Sequence, residues 1–225
     1  MTTMFEEEFQ CPVCGTPSSH MVIGSTNSFG SPDLDAMPPQ MSRSTIYQSI
    51  QRCPTCGYSA HDLSKSEAGS DEIEKWLQSD EYKNILNNKK MPEEANTFMA
   101  MSFLSQKQND FVSSAWESIQ AAWICDDKKK EMISKKCRDN ALLMIEQGNK
   151  DSQKLTGQSG ASEAITIDLL RRAGRFEEGF DLIQQTKTMD LENIIHQVIV
   201  YEEQLICAGD VDAHTVEEAM EELVI

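Results

Sequence analysis

Two short stretches, Cys11-Pro12-Val13-Cys14-Gly15 and Cys53-Pro54-Thr55-Cys56-Gly57, decide how the N-terminal part of this chain folds. In each stretch two cysteines, separated by two residues, lie on a tight turn. Proline presets φ in such a turn and glycine accepts a positive φ, so backbone N–H groups can point at the sulfur atoms. The two stretches are therefore predicted to be metal-binding knuckles.

Together the knuckles supply four soft ligands, Cys11, Cys14, Cys53 and Cys56. This set predicts one tetrahedral zinc site with a structural role, because four thiolates leave no coordination position for water or substrate. Rubredoxin-type iron sites also use two such knuckles, so iron in an electron carrier is the alternative. The colour of the purified protein would distinguish an iron site from a zinc site.

The composition limits the classes of protein to which the chain can belong. Its 225 residues suit one large or two modest domains, and hydrophobic residues make up 39% of them. No apolar run approaches the roughly 20 residues that span a bilayer, and the acidic N-terminus does not resemble a signal peptide. With thiols reserved for metal, we expect a cytoplasmic protein without a membrane partner.

The net charge of −17 bears on partners. Nucleic-acid binders carry a basic surface because phosphate contacts dominate their affinity. Residues 1–66 contain only three basic residues, against six acidic ones. We therefore expect no nucleic-acid partner.

The chain divides into two predicted parts, a β-rich, zinc-ribbon-like head at 1–66 and a helical domain at 67–225. The fold class is thus α+β, mainly α. Strands are expected at Met21-Val22-Ile23, Ser44 to Gln51 and Tyr58 to Leu63. Ser70 is expected to cap the first helix and Pro92 to open the next one.

Helical periodicity continues through the rest of the chain. Apolar residues from Phe111 to Trp123, from Met132 to Ile145 and from Leu191 to Ile206 recur at helical spacing. Gly209 is expected to end the last of these helices, and Thr215 with Glu218 to form a capping box.

A turn between two of these helices is tetratricopeptide-like. Gly174 lies at the turn, Phe176 follows two residues later, and the small Gly179 comes three residues beyond that. Asn109, Phe111 and Ser114 repeat the spacing. The pattern favours tetratricopeptide-like antiparallel helices, and an ordinary helical bundle is the alternative.

The long segment between the knuckles, Ser25 to Met41, is a candidate functional loop because loops of this length are uncommon. Asp33 and Asp35, together with the nearby Arg43, could form a small ligand-binding site, or they could cap turns. Arg171, Arg172 and Arg175 cluster at a helix–helix turn and could bind an acidic partner, but such a cluster is expected more often at a helix C-terminus because the dipole favours cations there.

Both knuckles, the segment Ser25 to Asp35, and Arg43-Ser44-Thr45 resemble a bacterial domain-of-unknown-function family. Its members are similar in having a two-knuckle zinc-binding head followed by tetratricopeptide-like helices. The run Ala121 to Asp127 fits the helical part. The resemblance covers most of the chain and implies a zinc-bearing bacterial cytosolic protein, without implying an activity.

No nucleotide-binding, metalloprotease or serine-hydrolase motif occurs in the sequence. We therefore expect a non-enzymatic protein with a protein or peptide partner that binds a groove of the helical part. Two alternatives stay open: a small-ligand binder or enzyme built on Asp33, Asp35 and Arg43, and the rubredoxin-like electron carrier.

Overall fold

Two small β-hairpins pack against one end of a series of helices in this computed structural model. The structure describes residues 1–65 and 71–221. The predicted cap at Ser70 and the boundary between residues 66 and 67 lie outside the described residues.

Each hairpin has a knuckle as its turn. Strand β1 (Thr3–Gln10) pairs antiparallel with β2 (Pro17–Ser25), and β3 (Gln51–Arg52) pairs antiparallel with β4 (Ser59–Ala60). The strand predicted at Met21 to Ile23 lies within β2, whereas β1 was not predicted. Residues 59 and 60 form the only strand within the predicted Tyr58 to Leu63.

The strand predicted from Ser44 to Gln51 is wrong. A 3-10 helix, Ser42–Gln48, occupies most of this segment. The hydroxyl of Thr45 donates to the carbonyl of Ser42 at 2.7 Å, and that of Ser49 donates to the carbonyl of Ile46 at 2.8 Å. These local hydrogen bonds favour a tight helical turn over an extended strand.

Helices make up most of the described chain. They are α1 (Asp71–Gln78), α2 (Asp80–Leu86), α3 (Glu93–Lys107), α4 (Phe111–Asp127), α5 (Glu131–Lys150), α6 (Ala161–Ala173), α7 (Phe176–Thr186), α8 (Asn193–Ala208) and α9 (Val216–Glu221). The fold is therefore α+β, mainly α, as predicted. Within the described residues, no helix is both long enough and apolar enough to cross a membrane.

One turn geometry recurs between antiparallel helices. A residue with positive φ ends the first helix, and the next residue's N–H bonds to a carbonyl five positions back. The positive-φ residues are Asn109, Lys129 and Gly174. Five positions after each of them comes a small buried residue, which is Ser114, Ser134 and Gly179 respectively. At Gly179 a Cβ atom would lie 2.8 Å from Ile206 on α8 and 3.7 Å from Leu170 on α6, so α7 lies close to both helices there and closest to α8. The Lys129 turn was not predicted, since lysine seldom adopts this conformation.

Other predicted helix ends are confirmed. Pro92 immediately precedes α3, although α2, which was not predicted as a separate helix, lies between α1 and α3. Gly209 ends α8 with φ of 69°. The N–H of Thr215 donates to Glu218 at 2.6 Å and the N–H of Glu218 donates back to the Thr215 hydroxyl at 3.2 Å, which is a capping box. The inward position predicted for Met132 is wrong, because 79% of this residue is exposed.

The head shares its hydrophobic core with the helices. Phe9, Tyr58 and Leu63 cluster with buried side chains of α1, α2 and α3. Between the knuckles, Met37 joins the central cluster around α4 and α5, while Leu34 joins the cluster around α8. The N–H of Leu34 also donates to the carbonyl of His214 at 2.9 Å. The inter-knuckle loop therefore spans from the head to the last helices.

Candidate metal centre

The two knuckles bring four sulfur atoms together. Within the described residues, the Sγ atoms of Cys11, Cys14, Cys53 and Cys56 all lie within 4.8 Å of one another. Sγ of Cys11 is 3.6 Å from that of Cys56, and Sγ of Cys14 is 3.5 Å from that of Cys53. Each of these two short distances is between a cysteine of the first knuckle and a cysteine of the second, so the cluster lies between the two hairpins.

Both knuckles have the same backbone geometry. In the first, the N–H of Gly15 donates to the carbonyl of Cys11 at 2.9 Å, and in the second the N–H of Gly57 donates to the carbonyl of Cys53 at 3.0 Å. The two glycines have φ of 72° and 77°. This conformation is unfavourable for residues with a Cβ atom, which is why glycine follows each second cysteine.

The sulfur geometry fits a tetrahedral metal ion. Thiolates about 2.3 Å from a central zinc form a tetrahedron with edges of about 3.8 Å, close to the short separations here. Iron bound by four thiolates has similar geometry, so the distances support a metal without identifying it.

The cysteines need a cation if all four are to be thiolates. Burial raises the pKa of the Cys11 and Cys56 thiols, which disfavours their charged forms. At Cys14 the hydroxyl of Thr16, 3.3 Å from Sγ, lowers the pKa to about 6. A bound metal ion would supply the positive charge that neutralises thiolates at these buried positions.

The cluster lies where the head meets the helices. Cys11 and Cys53 are buried against the helices, Cys56 is half-buried and Cys14 is exposed. The hydroxyl of Tyr82 on α2 donates to the carbonyl of Gly57 at 2.9 Å. A metal ion here would thus hold the β1–β2 hairpin on a knuckle that is already fixed to α2.

The residues predicted as a possible ligand site contact charged groups of the chain. Nη2 of Arg43 donates to Oδ2 of Asp33 at 2.7 Å. Asp35 is completely buried, and its Oδ2 accepts a hydrogen bond from Nη1 of Arg172 at 2.7 Å. Asp33 is therefore paired with Arg43, whereas Asp35 pairs with Arg172 and binds the loop to α6, so the three side chains do not form one site.

Sequence reasoning missed the rest of this charged cluster. Nη2 of Arg172 donates to Oδ2 of Asp126 at 2.7 Å, and Arg138 pairs with the same carboxylate. Burial opposes ionisation of Asp126, but the two guanidiniums outweigh it and lower its pKa. We refer to Asp35, Asp126, Arg138 and Arg172 as the buried ion cluster.

The expectation that Arg172 sits at a helix C-terminus for dipole reasons is incomplete. Arg172 does lie in the last turn of α6, but it is buried and bridges two carboxylates. Arg171 beside it is fully buried and pairs with Asp168 and Glu202. Two adjacent arginines before a glycine turn could have signalled this burial only if their acidic partners were known.

Comparison with known proteins adds a family. The family model described as "Uncharacterized protein conserved in bacteria (DUF2225)" matches residues 4–204. Neither the curated proteins nor the solved structures include a match to this chain. The resemblance drawn from the knuckles and the inter-knuckle loop is confirmed by this match.

Proposed function

Because the chain belongs to the bacterial DUF2225 family, whose description assigns no activity, we propose a function from its structure. The protein is a non-enzymatic scaffold for protein–protein interaction in the bacterial cytoplasm, stabilised by a structural zinc ion. The observation that carries the proposal is a hairpin with exposed apolar side chains whose turn contains two of the four clustered cysteines.

The zinc part of the proposal follows from the donor set. Four thiolates complete a tetrahedral coordination sphere, so a bound zinc ion would stabilise the fold without contacting a substrate. Elemental analysis of the purified protein should find about one zinc ion per chain. Iron with visible absorbance in place of zinc would support the electron-carrier alternative instead.

The interaction part follows from the surface of the β1–β2 hairpin. Met4, Phe5 and Met21 are 40%, 50% and 46% exposed, and we call these three residues the hairpin patch. They lie on neighbouring strands, because Phe5 pairs with Val22 and Met21 pairs with Glu6. Because successive residues of a strand point to opposite faces, Met4 and Met21 share one face of the hairpin and Phe5 lies on the other. Apolar side chains are thus exposed on both faces of the strand pair, where a binding partner can contact them.

A matched pair of variants tests the proposal. The tagged chain would be purified from its bacterial host as wild type, as Met4→Ser/Phe5→Ser, and as the control Met132→Ser/Leu143→Ser. Met132 and Leu143 are 79% and 47% exposed on α5, so the control removes a similar apolar area elsewhere. A partner identified by mass spectrometry should be retained by wild type and control and lost with the hairpin variant. Recovery of the same proteins with all three chains would contradict the proposal.

A ligand-binding or enzymatic role for Asp33, Asp35 and Arg43 stays a prediction. The ion pairs of Asp33 with Arg43 and of Asp35 with Arg172 give these side chains a structural role, and no observation favours a substrate. With its net charge of −17, the chain is proposed to have no nucleic-acid partner.

A further inference from the structure

Strand β1 has an unpaired edge. Apart from its ladder with β2, none of residues 3–10 makes a backbone hydrogen bond to another described residue. In an antiparallel pair about half of a strand's N–H and C=O groups point away from its partner. Those groups of β1 therefore face outward, where they can pair with another chain.

The edge of β1 is more accessible than that of β2. Every residue of β1 is exposed except Phe9, which is buried against the helices. Strand β2 contacts the 3-10 helix, and just beyond it Ser28 forms a bridge with Met41. An added strand would thus dock beside β1 without displacing another element.

The side chains along β1 define the chemistry of such a strand. Met4 and Phe5 are exposed apolar residues, and Glu6, Glu7 and Glu8 follow them directly. Within residues 1–65 and 71–221 no cation pairs with any of the three glutamates. The only ionisable side chain opposite them on β2 is His20, whose pKa is lowered by burial, so it does not neutralise Glu7.

Charge disfavours a second copy of β1 as the occupant. If two β1 strands paired antiparallel around their centres, glutamates would lie opposite glutamates, which is destabilising. Charged residues on an edge strand commonly prevent self-pairing. The same three charges would attract a strand that carries lysine or arginine at the matching positions.

We propose that the β1 edge binds an extended basic segment of another protein by β-strand addition. Because residues directly opposite each other share a face, such a segment has three basic residues opposite Glu8, Glu7 and Glu6, followed by two apolar residues opposite Phe5 and Met4. This order holds for antiparallel pairing, the more stable arrangement. The inference rests on the proposed interaction function and names the chemistry of its partner.

The test uses the full metal-loaded chain and a synthetic, end-blocked octapeptide containing three lysines followed by valine and isoleucine. A matched peptide has glutamates in place of the lysines. Hydrogen exchange monitored by NMR should slow at alternate residues of β1 when the lysine peptide is added, and not with the glutamate peptide. Binding should weaken as salt rises from about 50 mM to about 500 mM.

Charge-reversal variants provide the matched control. Glu6→Lys/Glu8→Lys should bind the lysine peptide about tenfold more weakly and should gain binding of the glutamate peptide. Glu72→Lys/Glu74→Lys changes the net charge equally on the exposed surface of α1 and should bind as wild type does. Metal content and melting temperature of each variant show that it is folded.

Three outcomes would overturn the inference: no protection of β1 by the lysine peptide, equal binding of both peptides, or protection of β1 that grows with protein concentration when no peptide is present. The last outcome would identify a second copy as the occupant. If the native partner is lost with Met4→Ser/Phe5→Ser but kept with Glu6→Lys/Glu8→Lys, the interaction function stands and the basic-segment inference fails.

Discussion

Replacing Glu117 with glutamine should stabilise this protein at neutral pH. Glu117 lies on α4 and is only 3% exposed. The hydroxyl of Ser105 donates to its Oε1 at 3.1 Å, while Oε2 has no hydrogen-bond partner among the described residues. No cation pairs with this carboxyl group there, so burial raises its pKa from 4.5 to about 8.

The size of the effect follows from proton linkage. A pKa raised in the fold means that the stability contributed by this group is fully present below pH 4.5 and is lost as the pH rises toward 8. At pH 7 the unfolded chain has Glu117 ionised, and keeping it protonated in the fold costs about 1.36 kcal/mol for each pH unit above its ordinary pKa. That amounts to about 3 kcal/mol at pH 7. Glutamine has nearly the shape of the protonated acid and does not titrate.

Urea unfolding of both chains at pH 5, 6, 7 and 8 would measure this difference. The stability gain of Glu117→Gln should be small at pH 5 and should rise to about 3 kcal/mol at pH 7. Because both chains carry the same cysteine cluster, metal-dependent changes cancel in the difference. Glu131→Gln removes one charge from an exposed position on α5 and should change stability by only a few tenths of a kcal/mol. A difference that does not vary with pH, or a loss of stability at pH 7, would refute the reasoning.

Three further predictions concern the candidate metal centre and the buried ion cluster. Cys53→Ser should lower the metal content of the purified protein well below one ion per chain and lower its melting temperature; unchanged metal content would show that Cys53 is not a ligand. Asp35→Asn should reduce the free energy of unfolding, measured in urea, by about 1.5–3 kcal/mol, because it removes one of the two carboxylates that pair with buried Arg172 and leaves Asp126 as the other; a loss below about 0.5 kcal/mol would contradict this. Gly57→Ala should reduce the free energy of unfolding more than Gly15→Ala in the same assay. Both glycines have positive φ, but only at Gly57 would a Cβ atom lie 2.7 Å from Leu86. Equal reductions in the free energy of unfolding would show that this contact relaxes freely.

Sequence patterns predicted the elements whose conformation is determined by residues close together in the chain. The knuckle spacing indicated the cysteine cluster, and the periodic apolar residues indicated α4, α5 and α8. Gly209 was recognisable as a helix end because only glycine adopts positive φ without steric cost. In the helices the residues that decide the structure are neighbours in the chain, and in the cysteine cluster each knuckle has its own local pattern, although Cys14 and Cys53 are 39 positions apart.

Features that depend on distant residues were not predictable. Strand β1 was missed because its three consecutive glutamates interrupt the alternation of apolar residues, and its pairing with β2 supplies the backbone partners. The burial of Arg172 depends on Asp35, 137 positions away. No single-sequence pattern distinguishes such an arginine from one at an exposed helix end.

The metal centre and the proposed binding edge belong to the same hairpin. A two-stranded hairpin alone is marginally stable in water, and β1 is buried only at Phe9, next to the first knuckle. Metal bound at the knuckles would therefore stabilise the strand pairing that creates the β1 edge, although no ligand cysteine lies on that edge. Loss of the metal should then weaken partner binding through hairpin opening, because an unpaired β1 would have to be ordered again on binding. The proposed structural metal site and the proposed interaction function are thus linked through the folding of one hairpin.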